Sequence, residues 1–303
     1  MACEHKHIMV TGTSSGIGRA TMEAAVAAGF HVFAGDRQTD PANSASVPAG
    51  ESLTKVHLDI TNAEDIARTV DLIDAHVGDA GLDALANIAG IGIPGPLETM
   101  PLDSLRASFE VDFFGQVALT QPLIPLLRRA EGRIVFIGSI VDRITIPFFG
   151  ALASSKSAIA AVSDTFRQEL APWGIDVILV EPGFISTGAD KATKKRIDQL
   201  IADFTPDEAA LYGDMFKSAT ERGYKTQTSG SSPEGVAEVI IDALTARKPK
   251  DHYLTGSKSH IAAAVARLPE GLQDQLKRKA FGFPSPRSLA KSRSFPKPRS
   301  RDH

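Results

Sequence analysis

At 303 residues the chain is long enough for one large α/β domain with a sizeable core. Its 43% hydrophobic and 23% charged content is ordinary for a globular protein, and a formal net charge of −3 offers no basic field for nucleic acid. The single cysteine, Cys3, excludes an internal disulfide framework; with no signal-peptide core and no apolar run of about 18 residues, the chain reads as soluble and cytoplasmic, without a transmembrane segment.

His7 to Val10 is an apolar run closed by Thr11-Gly12, which predicts a buried strand and its exit turn. Gly16 to Ala28 is Ala-rich and helical, and Gly29 stops it. A second strand, His31 to Ala34, ends at Gly35-Asp36-Arg37; a polar loop spans Gln38 to Ser52; a third strand, Thr54 to Leu58, closes at Asp59. Ile66, Val70, Ile73 and Val77 give Asn62 to Val77 helical spacing, and a fourth strand, Leu82 to Ala86, opens into Asn87-Ile88-Ala89-Gly90. Leu102 to Arg129 is a long helical stretch in which Pro122 and Pro125 are the expected points of a kink or break. Arg133 to Ile137 is a fifth strand, Ala151 to Leu170 a helix, and Ile175 to Val180 a sixth strand that ends at Glu181-Pro182-Gly183.

Asp190 to Tyr224 reads as a helical insertion whose breakers and thin apolar stripe suit a substrate cover, drawn at residues 190–230. Pro233 to Thr245 is a further helix and Tyr253-Leu254 a short last strand. Strand and helix alternate, so the fold class is α/β: a doubly wound parallel sheet in a single domain, residues 1–256, with helices on both faces. Residues 257–283 form a helical extension. The tail, 284–303, carries six basic residues and four prolines and is expected to be disordered, as a solvated segment or as a contact for an anionic partner.

Thr11-Gly12-Thr13-Ser14-Ser15-Gly16-Ile17-Gly18 follows a predicted strand and opens a predicted helix. Its glycines let the backbone turn tightly and approach a pyrophosphate, and the helix start offers unpaired N–H groups to the anion. Gly12, Ser14, Ser15, Gly16, Ile17 and Gly18 are therefore the first cofactor-binding residues. Asp36 ends the second strand 18 residues after Gly18, where a carboxylate accepts from both ribose hydroxyls and repels a 2′-phosphate. Arg37 could pair with that phosphate if Asp36 turned away. NAD(H) is favoured, with NADP(H) the alternative.

These residues, together with Leu58-Asp59, Asn87-Ile88-Ala89-Gly90, Ser139, Lys156 and Pro182-Gly183 with Thr187, resemble the short-chain dehydrogenase/reductase family over roughly Ile8 to Leu254. Glu169 to Gly174 is similar to a retinol- or steroid-dehydrogenase-like subgroup. The resemblance implies a Rossmann-type fold and an oxidoreductase acting on an alcohol or ketone. It implies that Asp59 and Ile60 lie at the adenine, that Asn87 and Gly90 shape the ribose floor, and that Pro182, Gly183, Ile185 and Thr187 hold the carboxamide. It further implies that Lys156 bonds the nicotinamide ribose and that Ser139 bonds the substrate oxygen. Val141, Phe149, Leu152 and Phe184 would line an apolar small-molecule substrate. A homodimer or homotetramer through the two long helices is the family's usual assembly.

Three positions depart from the pattern. The family usually has a tyrosine four residues before the lysine, on the same helix face, as proton donor; here it is Leu152. A usual asparagine in the preceding long helix is Asp112, and the second asparagine of the Asn-Asn-Ala-Gly phrase is Ile88. Asp112 is thus a candidate catalytic group beside Ser139 and Lys156, either paired with Lys156 as a relay or standing in through its backbone carbonyl. Among the three tyrosines, Tyr212 and Tyr224 of the cover are remote replacements for the phenol, and no histidine lies between His76 and His252 to build a metal or serine–histidine site. Three functions remain open: an oxidoreductase with an atypical proton donor, a non-redox lyase, isomerase or cyclase on the same scaffold, and a catalytically silent nucleotide-binding protein.

Overall fold

The computed structural model describes residues 6–40, 52–186, 190–286 and 288. Thr187, most of the Gln38–Ser52 loop and most of the basic tail lie outside the described residues. Seven parallel strands form one sheet in the order β3-β2-β1-β4-β5-β6-β7. They are β1 (His7–Thr11), β2 (His31–Asp36), β3 (Leu53–His57), β4 (Ala84–Asn87), β5 (Arg133–Ile137), β6 (Asp176–Pro182) and β7 (His252–Thr255). Strand direction of winding reverses between β1 and β4, and such a switch point leaves a crevice at the carboxyl ends of the strands.

Alternate strand residues feed two apolar layers. Met9, Phe33, Leu85, Phe136 and Leu179 point to one side, where α2 (Ala63–Val77), α4 (Gln116–Arg129) and α5 (Gly150–Leu170) cover them. Ile8, Val10, Val32, Val135 and Val180 point to the other, under α1 (Gly16–Ala27) and α9 (Pro233–Thr245). Both layers are buried, which is why the strands read as continuous apolar runs rather than as alternation.

The long helical stretch is divided, but not at its prolines. α3 (Leu102–Phe109) passes through a π-helical turn, Glu110–Gly115, into α4, and Pro122 and Pro125 sit inside α4 without breaking it. The distortion lies where Gly115 meets the chain after β3: a Cβ there would stand 2.8 Å from the Ile60 carbonyl oxygen. π-Turns of this kind recur at functional sites, and this one carries Asp112.

The cover comprises α6 (Asp190–Ala202), α7 (Pro206–Glu208), a second π-turn at Ala209–Gly213 and α8 (Asp214–Thr228). α10 (Ser259–Val265) and α11 (Glu270–Phe281) follow β7. Phe148, Phe204, Tyr212, Phe216 and Phe283 form an aromatic knot that ties the cover and the segment after α11 to the loop before α5. No helix among the described residues is long and apolar enough to cross a membrane.

Candidate active site

The turn between β1 and α1 forms one wall of a cleft of about 360 Å³ at the switch point. Glycine is required there for contact reasons. A Cβ on Gly18 would lie 2.1 Å from the Gly12 carbonyl oxygen, and one on Gly12, at φ +72°, would lie 3.0 Å from Ala89 Cα. Ser15 precedes α1 in extended conformation with no side-chain cap bond, so no cap takes up the first-turn N–H groups. Gly12, Ser14 to Gly18, Asp36, Arg37, Asp59, Ile60 and Gly90 all line this cleft. The fit to a dinucleotide is therefore good: a close-packed turn, an open helix start and a carboxylate at the far end.

Asp36 is held for its role. Its Oδ2 accepts from the Ser14 N–H at 3.0 Å and its Oδ1 from the Gln38 N–H at 2.9 Å, and each oxygen keeps lone-pair capacity for a hydroxyl. Asp59 accepts from the Thr61 N–H at 2.9 Å and the Thr61 hydroxyl at 2.7 Å, which fixes the turn after β3. Asn87 lies beneath the cleft rather than on it, fully buried, and donates to Thr120 Oγ1 at 2.9 Å.

The opposite wall, the loop after β4, hangs on three polar side chains that sequence reasoning passed over or misjudged. Thr11 Oγ1 accepts from the Ile88 and Ala89 N–H groups at 2.9 and 3.0 Å. Gln116 donates to the Ala89 carbonyl at 2.9 Å, and Asp112 Oδ1 accepts from the Ile91 N–H at 2.8 Å. The departure at Ile88 is accommodated because that position bonds through its backbone while its side chain packs on the core. Asp112, Gln116 and Thr120 are fully buried and spaced four apart, a polar stripe on one helix face that was legible in the sequence.

Asp112 is committed further. Its Oδ2 accepts from Ser155 Oγ at 3.0 Å and Ser108 Oγ at 3.2 Å, so the carboxylate joins α3, α5 and the β4 loop. It makes no ion pair with Lys156 among the described contacts, yet the two flank Gly90: a Cβ there would lie 2.9 Å from Asp112 Oδ1 and 3.5 Å from Lys156 Nζ. Lys156 is buried and donates to the Ile137 carbonyl at 2.7 Å. Burial pulls its pKa below the ordinary lysine range, against the opposing charges of Asp112 and then Asp142.

Ser139 follows β5 two residues after Ile137, so the end of one strand gathers both Ser139 and Lys156. Ser139 Oγ accepts a long 3.4 Å bond from the Val141 N–H, and its own N–H donates to Asp142 Oδ2 at 3.3 Å. Asp142 closes a capping box with Ser139. Burial, then the neighbouring Glu181, push its carboxyl up to about 7. Arg143 forks onto the buried Glu181, with Nη2 2.6 Å from Oε2, and His252 bridges Glu181 at 3.1 Å to Asp164 at 3.2 Å. These partners are far apart in sequence and meet only when β5, β6 and β7 are side by side.

Leu152 packs with Ile140, Val141, Ala153, Ile144 and Ile146, an aliphatic wall where a phenol would otherwise stand. Phe149 precedes α5, and its carbonyl accepts from the Ala153 N–H. Phe184 is fixed by backbone bonds to Ser257 and Ser231. Pro182 ends β6; a Cβ on Gly183 would lie 2.3 Å from the Ser257 carbonyl oxygen; Ile185 is packed in the core. None of these last four lines the cleft at the β1–α1 turn. Tyr212 donates its hydroxyl to Glu98 at the cover's rim, and burial followed by that bond pushes its pKa up to about 12, while Tyr253 accepts from the Lys250 N–H. Of the two cover tyrosines, Tyr212 is thus engaged by Glu98, and Tyr224 lies on α8 with no hydrogen bond to Ser139 or Lys156 among the described residues.

Comparison with known proteins agrees with this geometry. A family profile described as short chain dehydrogenase matches residues 6–198. The chain is 31% identical over 277 residues to the NADPH-dependent 3-dehydrocapnine reductase of Ornithobacterium rhinotracheale, covering 89% of this chain and 95% of that protein. It is also 31% identical over 275 residues to the human (Homo sapiens) 11-beta-hydroxysteroid dehydrogenase type 2, covering 88% of this chain and 68% of that one. A crystal structure of a short-chain dehydrogenase from Streptomyces avermitilis superposes with a TM-score of 0.70 at 25% identity, covering 97% of this chain and 100% of that chain. With more than half its length inside the family profile and relatives at 31% identity matched over two thirds or more of their length, the chain belongs to the short-chain dehydrogenase/reductase family.

Proposed function

We propose that the chain is an oxidoreductase that binds NAD(H) in the β1–α1 cleft and interconverts an apolar alcohol and ketone without a phenol as proton donor. The bound nicotinamide would supply or accept the hydride. The observation that carries this reading is the cleft that holds both the open start of α1 and the Asp36 carboxylate, with Lys156 Nζ close behind Gly90 of its wall. Ser14 to Gly18 hold the pyrophosphate through backbone N–H groups. Asp36 accepts from the ribose hydroxyls, and its charge favours NAD(H) over NADP(H); the NADPH dependence in the name of the bacterial relative argues the other way, with Arg37 as the residue that would mediate it. Lys156, with one proton on the Ile137 carbonyl, keeps two N–H donors for the nicotinamide ribose and the reacting oxygen. Ser139 has a free O–H to orient that oxygen. A lysine whose burial lowers its pKa releases a proton more readily, which makes Lys156 the proton donor of this proposal.

The apolar wall at Leu152 and Val141, with the steroid in the human relative's name, supports a bulky apolar substrate. The same proposal places the protein in the cytoplasm and pairs copies through the α3–α4 stretch and α5; Phe114, in the π-helical turn between α3 and α4, is 52% exposed. The test is turnover of a panel of hydrophobic ketones with NADH and with NADPH, for the natural protein and for Leu152→Tyr. Stoichiometric NADH oxidation by the natural protein, rising roughly 10²-fold in the variant, is expected. Substrate conversion without change in NADH would point to a non-redox reaction. Tight NADH binding with turnover only in Leu152→Tyr would favour a silent nucleotide-binding protein, for which the aliphatic cluster at Leu152 is the supporting observation.

A further inference from the structure

His57 ends β3, the edge strand of the sheet, and lines no part of the nucleotide cleft. Its ring nevertheless reaches both loops that do. The loop after β2 brings Asp36, Arg37 and Gln38 to the cleft, and the loop after β3 brings Leu58, Asp59 and Ile60. His57 Nδ1 stands 2.6 Å from the Thr39 carbonyl oxygen of the first loop, and Nε2 stands 3.3 Å from Asp65 Oδ2 at the start of α2. The same Asp65 oxygen accepts the Asp59 N–H of the second loop at 3.0 Å.

Both partners of the ring are acceptors only. A neutral imidazole has one N–H and can donate to the carbonyl or to the carboxylate, whereas the doubly protonated ring donates to both. Asp65 is buried, with its other oxygen taken by Arg68, and a buried carboxylate calls for donors and opposite charge around it. The charged groups on the elements that meet the ring are Asp36, Arg37 and Asp40 after or on β2, Lys55 on β3, Asp59 in the turn, and Asp65 and Arg68 on α2. That set holds four carboxylates and three cations, and an imidazolium balances it.

The backbone around Asp36 shows what the ring fixes. The Asp36 carbonyl accepts from the Thr39 N–H and from the Leu58 N–H, each at 3.2 Å. Thr39 is thus held at its N–H by Asp36 and at its carbonyl by His57. The Asp36 carboxylate, which accepts from the Ser14 and Gln38 N–H groups, stands on the turn so closed. Loss of one ring proton releases one of the two loops and loosens the cleft at the end where Asp36 stands.

We propose that His57, as an imidazolium, is a positioning residue for the adenosine half of the nucleotide, holding the two loops at the spacing that half requires. The role rests on the reading that the β1–α1 cleft takes the nucleotide, and it acts on binding without touching the ligand or the hydride step. Nucleotide affinity is then linked to a proton: full while the ring is doubly protonated, and lower as pH rises.

The test uses ADP-ribose, which carries the adenosine and the pyrophosphate, has no nicotinamide to reduce, and does not itself titrate between pH 6 and 8.5. In calorimetric titrations of the full-length protein, ADP-ribose should bind about 10-fold more weakly at pH 8.5 than at pH 6. At pH 7.5, heats in buffers of different ionisation enthalpy should show uptake of part of a proton on binding. His57→Gln keeps a donor without a titration, so it should flatten the pH dependence and remove the uptake, which loss of a merely structural contact would not do. Nitrogen-15 spectra of the natural protein need no variant: one imidazole should keep both of its protons to higher pH when ADP-ribose is bound. The proposal is overturned if the natural protein binds ADP-ribose equally across this range, if His57→Gln keeps the slope and the uptake, or if no imidazole responds to ADP-ribose. Absence of ADP-ribose binding at every pH would overturn the nucleotide reading as well, an outcome distinct from binding that ignores pH.

Discussion

Asp142→Asn is predicted to stabilise the protein most above neutral pH, less at pH 5, and not at all below pH about 3.8. Asp142 sits between the Ser139 N–H on one oxygen and a buried second oxygen with no hydrogen-bond partner, next to the buried Glu181. Arg143 and Lys156 are the nearby cations. Burial and Glu181 raise its pKa from 3.8 to about 7. The folded protein therefore keeps this proton over a range where the unfolded chain has released it. The group's contribution to stability is full below pH about 3.8, declines as pH rises, and is lost once pH passes about 7. A rise of that size corresponds to a ceiling of about 4 kcal/mol, and coupling to the nearby charges brings the expected figure to about 2 kcal/mol. Asparagine keeps an acceptor for Ser139 and offers Glu181 an N–H where the acid held its proton. Urea unfolding of both proteins at pH 5, 6, 7 and 8 gives the difference curve, in which all other titrations cancel. The variant should gain roughly 1 kcal/mol relative to the natural protein between pH 5 and 8, the share of the whole change that lies above pH 5. A difference that stays constant across this range would refute the reasoning.

Gly18→Ala should reduce nucleotide affinity by roughly 10²-fold or more, since the new methyl would stand 2.1 Å from the Gly12 carbonyl oxygen; NADH titration with circular dichroism as the folding control decides it, and natural affinity would refute close approach at that turn. Asp112→Asn should cost about 1 kcal/mol or less, because an amide still accepts from Ile91 and can donate to the serines, whereas Asp112→Ala strands the Ile91 N–H and removes the acceptor shared by Ser108 and Ser155, and should cost about 3 kcal/mol. Equal losses in chemical denaturation would remove the carboxylate's bridging role.

What the sequence made legible was local. Strands buried on both faces read as apolar runs, and the Thr11–Gly18 turn carries its constraints within eight residues. Pro122 and Pro125 are where a break is expected from sequence, whereas the distortion falls at Glu110–Gly115, where Gly115 closely approaches Ile60 from a distant segment. Asp112 was seen as a departure from a family pattern, but its ties to Ser108, Ser155 and Ile91 depend on three elements meeting. Arg143, Glu181 and His252 form one charge network only because β5, β6 and β7 are adjacent. Ile88 looked like a lost side-chain function; the bond that matters there is made by its N–H, and a backbone group is the same in every residue but proline.

That bond comes from Thr11, whose single hydroxyl oxygen receives two N–H groups from the loop across the crevice. The two walls of the nucleotide cleft are thereby fastened to each other by one atom of the first strand. A nucleotide arriving there meets a slot whose width is already set, and little backbone freedom is left to lose on binding. Affinity at this end of the molecule is accordingly preorganised, and conformational adjustment is left to the cover side.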